Sequence, residues 1–158
     1  ATGFFGKLPA SGDFVTRGLP DGVRPLLDRW LTRTLAPLAQ RPEDWPPEGL
    51  RGLIAHGGNA LALLILPSRD TSGRAFPLAA AALATGAGQA QVDDWADRAC
   101  PALRLAREGE LDAAGLIARI AALGPDTGGP SLNPPLLWCP GQPPQEPEEL
   151  LRQMVSCG

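Results

Sequence analysis

The sequence predicts an α/β domain of the α+β kind, with a mainly antiparallel central sheet of about five strands covered by helices. Three apolar runs in the middle of the chain, 50–56, 60–66 and 76–84, follow one another through short turns and loops. Short links make antiparallel neighbours, because parallel strands need a long crossover between them. The runs are too apolar to leave a face in water, so helices must cover the sheet. On either side of them, apolar residues recur at steps of three and four, the helical period. At 158 residues, with 44% hydrophobic and 20% charged content, the chain is long enough to bury a core. No internal repeat and no long linker divides it, so residues 1–158 read as one domain.

Phe4 and Phe5 mark a short opening strand within 2–7, followed by turns over 9–13 and 18–22. Leu27, Trp30, Leu31, Leu35 and Leu38 form the stripe of a helix over 24–39, with Asp21 as its N-cap and Pro25 in its first turn. Pro37 argues for a kink or an earlier end, and Pro46 and Pro47 forbid continuation. Gly57-Gly58-Asn59 joins the first two central strands as a tight turn. The alanines of 76–84 make helix a competing assignment; the short length of the run and its position after Gly73-Arg74 favour strand. Val92, Trp95, Ala96, Ala99, Leu103 and Ala106 make the next helical stripe, which Pro101 should kink or split. Leu116, Ile117, Ile120 and Leu123 make another behind Asp112 as cap. A loop over 124–130, a strand over 136–139 and a helix over 146–155 opened by Pro147 complete the order. The expected core includes Trp30, Leu31, Leu64, Leu78, Trp95 and Ile120.

A net charge of −3, a pI near 5.1 and no local Lys/Arg cluster give no footprint for nucleic acid and disfavour anionic membrane surfaces. No basic segment followed by a long apolar run opens the chain, as a signal peptide would. The apolar stretches 61–66 and 78–83 are far short of the roughly 20 residues of a membrane helix. Cys100, Cys139 and Cys157 are odd in number and widely spaced, which suits a reducing compartment. Cys100 and Cys139 are expected as buried, inert thiols and Cys157 as exposed; with the lone His56 they offer no metal constellation. No metal, cofactor or disulfide is expected.

Gly3-Phe-Phe-Gly6-Lys7 has two residues between its glycines where a phosphate loop has four, and Leu8 stands where Ser or Thr is required. No G-x-S-x-G elbow accompanies His56, which reads as a strand-end polar residue. Two polar clusters remain: Lys7, Ser11, Asp13 and Arg17 in the opening loop, and Ser68, Arg69, Asp70, Gly73 and Arg74 between two strands. Two readings stay open. Asp13 and Asp70 can accept backbone N–H bonds in ordinary turns, or the loops can converge into a charged, partner-binding face. Folding can bring both segments to one sheet end, with Asp13 and Asp70 as partners for Lys7 and Arg74.

The segment 3–17, GFFGKLPASGDFVTR, resembles the opening G-[FY]-[FY]-G-K-[LV]-P-x-x-G-D-F-[VI]-x-R of the TagF family, also called ImpM. Asp28-Arg-Trp30-Leu31 is similar to that family's W-D-x-W-L helix, with Leu27 replacing the first Trp. The segment 66–78 is similar to its P-S-x-D-x-x-G-R-x-F-P-L, with Thr71 where Arg is usual and Ala75 where an aromatic is usual. The Trp138 strand and the last helix stand in the expected order. The resemblance implies a cytoplasmic, non-enzymatic, post-translational repressor of type VI secretion assembly that binds a forkhead-associated scaffold protein. Some members of that family carry a fused phosphatase domain; none is expected within residues 1–158. It singles out Lys7, Gly12, Asp13, Asp28, Ser68, Asp70, Gly73, Arg74 and Pro77 as partner-binding or loop-shaping candidates. From it, Arg74→Ala and Asp70→Ala should weaken scaffold binding and relieve repression in a protein that still folds. The alternative is a small enzyme or anionic-ligand-binding domain using Lys7, Asp13, Asp70 and Arg74. A deep cleft holding all four, with a shifted carboxylate or lysine pKa, would favour that alternative, and a shallow charged surface would favour the regulator.

Overall fold

Strand pairing follows the short links between apolar runs. The computed structural model describes the backbone of residues 1–156 and the side chains of residues 1–154. Its strands are β1 (Thr2–Gly6), β2 (Val15–Arg17), β3 (Leu50–His56), β4 (Asn59–Leu66), β5 (Leu78–Leu83) and β6 (Leu136–Trp138). Its α-helices are α1 (Val23–Thr34), α2 (Gln89–Arg107), α3 (Ala113–Ile120) and α4 (Pro147–Ser156). The six strands form one sheet in the order β2-β1-β5-β4-β3-β6, and all its neighbouring pairs are antiparallel. The meander runs from Leu50↔Ile65 to His56↔Asn59 between β3 and β4, and from Leu61↔Leu83 to Leu66↔Leu78 between β4 and β5.

Side chains alternate across β4, which explains why the run is apolar throughout. Leu61, Leu63 and Ile65 join one core with Leu27 and Leu31 of α1, Trp45 and Leu150 of α4. Ala62, Leu64 and Leu66 join another core with Trp95 of α2, Ile120 of α3 and Trp138. The sheet is therefore the middle of three layers. The alanine-rich β5 is a strand because β1 and β4 satisfy its backbone on both sides.

Several boundaries differ from those the sequence predicts. The N-cap of α1 is Gly22, in a left-handed conformation (φ 81°), and no side chain, Asp21 included, caps it. The α-helix ends at Thr34, and Ala36–Gln40 continues as a 3-10 turn with Pro37 in its first positions. Trp30 is half-buried at the rim of the α1 core, while the other five expected core residues are buried. α2 is one helix through Pro101; the proline is exposed, and its buried neighbours Cys100 and Ala102 hold the helix on the sheet. Asp112 does cap α3, its carboxylate accepting the Gly115 N–H at 2.8 Å. The three-residue β2 was too short to show a period. The Cys157 expectation lies outside the described residues.

A buried arginine in β3 also escaped the sequence reading. The Arg51 guanidinium reaches Asp93 at 3.0 Å and Asp97 at 2.8 Å, both on α2. The Trp138 indole N–H donates to the same Asp93 oxygen at 2.9 Å, so the cluster ties β3, β6 and α2 together. Arg51→Ala should cost roughly 3 kcal/mol, because a filled, bonded site empties. Arg51→Met should restore more than half of it, since both carboxylates reach solvent and the aliphatic stem fills the space. Urea denaturation of the three proteins measures this.

Candidate functional site

β1 and β4 flank β5, so the loop leaving β1 and the loop entering β5 meet at one end of the sheet. The Ser68 hydroxyl donates to the Lys7 carbonyl at 2.7 Å, and the Thr71 N–H to the Ser11 carbonyl at 2.9 Å. At Gly6 (φ 149°) the strands approach so closely that an added Cβ would stand 2.2 Å from the Pro77 carbonyl oxygen. That contact accounts for Gly6; Pro77 is buried at the same crossing and meets Gly6 through its backbone.

Asp70 is the hub of this junction, and its side chain has no solvent exposure. One carboxylate oxygen takes the Lys7 ammonium at 3.2 Å and Arg74 Nε at 2.8 Å. The other accepts the Ser72 and Arg74 backbone N–H groups at 2.9 and 3.0 Å. The Asp70 carbonyl accepts the Gly73 N–H, and Gly73 adopts φ 82°, which closes the turn. Arg74 also donates to the Gly12 carbonyl at 3.2 Å, tying the two loops together. Burial pushes the Asp70 carboxyl up. The Arg74 N–H, the Lys7 ammonium, the Ser72 N–H and the Arg74 charge outweigh it and bring the pKa down to about 2. The group is a fixed anion with its donors in place, which is a brace and a poor proton acceptor at neutral pH.

Asp13 and Asp28 lie elsewhere. The expected pairing of Asp13 with Lys7 or Arg74 does not form, because Asp70 takes both cations; Asp13 instead accepts the Phe14 N–H at 2.7 Å. Asp13 and Asp28 come together in a cleft of about 290 Å³ between β2 and α1, lined also by Phe5, Phe14, Val15, Thr16 and Arg24. Phe14 is 44% exposed yet fixed: it stacks on Phe5 at 5.5 Å, meets Phe76 edge-on at 4.9 Å, and carries the Lys7 ammonium 4.9 Å from its centroid. Sequence reasoning passed over Phe14 and Arg24. An apolar residue inside a run of turn residues was the available signal for Phe14.

The four groups of the anionic-ligand alternative do not share a cleft. The 290 Å³ cleft holds Asp13 alone of the four, and a larger one of about 650 Å³, lined by Ser68, Arg69, Gly73 and Arg107 among others, holds none. Among the described residues, no group of three or more His, Cys, Asp and Glu side chains is placed to hold a metal ion. Cys139 is half-buried where a buried thiol was expected; burial pushes it and the buried Cys100 up, so neither is an activated thiolate. No helix of the described residues is long and apolar enough to cross a membrane.

Comparison with known proteins agrees with the motifs at this junction. The crystal structure of PA0076 from Pseudomonas aeruginosa PAO1 superposes with a TM-score of 0.63 and 26% identity, over 99% of this chain and 78% of that one. Comparison with curated proteins gives no match. The description "TagF N-terminal domain, Type VI secretion system-associated" matches residues 3–123, the span that contains both loops, α1 and the whole cleft. The chain therefore belongs to the TagF N-terminal-domain family, associated with type VI secretion.

Proposed function

We propose that this chain is a non-enzymatic cytoplasmic regulator that represses type VI secretion assembly post-translationally by binding a forkhead-associated scaffold protein. The supporting observation is how the two family motifs divide their work. Lys7, Ser68 and Asp70 are consumed in bracing the two loops and Arg74 joins them through Nε, while Phe14 is held rigid and outward beside the carboxylates of Asp13 and Asp28. A fixed aromatic on a braced loop loses little conformational entropy on association, which is how interface anchors work. Arg74, with 65% of its side chain exposed, can keep its bond to Asp70 and still offer donors to a partner carboxylate.

The test is secretion from the native host with the protein overproduced. Wild type should lower the type VI effector released into the medium several-fold. Arg74→Ala and Phe14→Ala, produced at equal level, should restore most of it. Unchanged secretion on overproduction of the wild type would overturn the repressor role.

A further inference from the structure

We propose that the cleft between β2 and α1 seats a cationic side chain of a partner protein, an arginine or lysine with its head at Asp13 and Asp28 and its stem against Phe14. This rests on the binding role above and adds which chemistry the partner brings to the cleft. Asp13 and Asp28 stand in separate segments, and only the fold sets them in one cleft, of about 290 Å³. Among the described residues neither carboxylate is ion-paired. Asp13 accepts the Phe14 N–H at 2.7 Å, and Asp28 the Thr32 hydroxyl at 3.3 Å. Lys7 and Arg74 are held by Asp70. Arg24 stands four residues before Asp28, the spacing of a helical ion pair, yet its guanidinium lies over the Phe5 ring, 5.9 Å from the centroid. Two carboxylates and one guanidinium line the cleft, so one negative charge is left uncompensated.

The other walls select the kind of cation. Phe14 already meets Phe5, Phe76 and the Lys7 ammonium, so what its ring presents outward is apolar area. Val15 lines the cleft beside it. Arginine and lysine join an apolar stem to a charged head, which matches an apolar wall that ends at two carboxylates. A guanidinium can donate to both carboxylates at once, and an ammonium can sit between them as a point charge. A bare metal ion would make no use of Phe14, and no group of three or more His, Cys, Asp and Glu among the described residues is placed to hold one. Nucleic acid and anionic lipid would meet the surplus negative charge and be repelled.

The experiment places a photo-crosslinking amino acid at Thr32, exposed one turn beyond Asp28, and separately at Arg119 on α3, in the opposite layer. Both full-length proteins are irradiated in the native host, and adducts are mapped by mass spectrometry. The expected result is a protein adduct from position 32 and not from 119, on a peptide that carries Lys or Arg at the contact. Its yield should fall about tenfold when Asp13→Asn and Asp28→Asn, which keep shape and remove charge, are combined in a protein of unchanged melting temperature. Arg24→Gln, which removes the cleft's own cation, should instead raise the yield about threefold. No adduct at position 32, equal adducts at both positions, or adducts only to nucleic acid, lipid or a free amine would overturn the proposal. So would a contact peptide without Lys or Arg, a yield indifferent to the aspartate changes, or one that does not rise with Arg24→Gln. A basic contact on a protein other than the scaffold would sustain this cleft while overturning the scaffold as partner, so the two readings fail separately.

Discussion

Asp70→Ala is expected to lower the melting temperature more than any other single change to a charged residue of the two loops. The substitution leaves the Ser72 and Arg74 N–H groups without their acceptor and strands the Lys7 ammonium, whose side chain is only 11% exposed. Asp70→Asn keeps the shape and removes the charge, and it separates the two contributions through pH. The folded carboxyl titrates at about 2 and its ordinary value is 3.8, so as pH falls the unfolded chain takes up the proton first. The stability from this ionisation is therefore complete above about pH 4 and is lost as the pH drops through the folded value near 2. Thermal melts between pH 2 and 6 should show a steeper acid decline for wild type than for Asp70→Asn. Parallel declines would mean that the carboxylate is not the hub.

Gly6→Ala is expected to cost about 4 kcal/mol, a sum of backbone strain and overpacking. A methyl at this position would stand 2.2 Å from the Pro77 carbonyl oxygen and 2.8 Å from the Leu78 Cα, both backbone atoms that can move only by opening the β1–β5 ladder. Gly73 is the internal control. It too has positive φ, 82°, but nothing lies within 4 Å of an added Cβ, so Gly73→Ala should cost about 1 kcal/mol from conformation alone. Denaturant unfolding of the two variants should separate them by more than 2 kcal/mol. Equal costs would show that the strand junction can relax.

The parts of this fold that were legible in the sequence are those set by local pattern. The β3-β4-β5 meander followed from apolar runs joined by short links, and the α2 stripe and the Asp112 cap followed from spacing and residue type. Asp21 was misread as a cap because its side chain suits the role, whereas Gly22 takes it through its left-handed backbone. Pro101 did not split α2, since the packed face on either side outweighs one missing N–H. At the site, the meeting of segments 7–13 and 68–74 could be foreseen from strand order. Which carboxylate would be buried could not, because Asp13 and Asp70 both sit in polar turns and differ only in how deep the folded loops place them. Arg51 was invisible for a related reason: its partners lie 42 and 46 residues away, and nothing local marks a charge that will be neutralised at such separation. The exposed Phe14 runs against hydrophobicity, and such a departure is where a binding residue is expected to stand.

The most direct test is titration calorimetry of the purified chain with the purified forkhead-associated scaffold, for wild type and Phe14→Ala. The expected result is saturable binding by wild type and binding at least about tenfold weaker by Phe14→Ala, with the two melting temperatures within a few degrees. No binding by wild type, or the same Kd for both proteins, would contradict a regulator that docks through this braced aromatic.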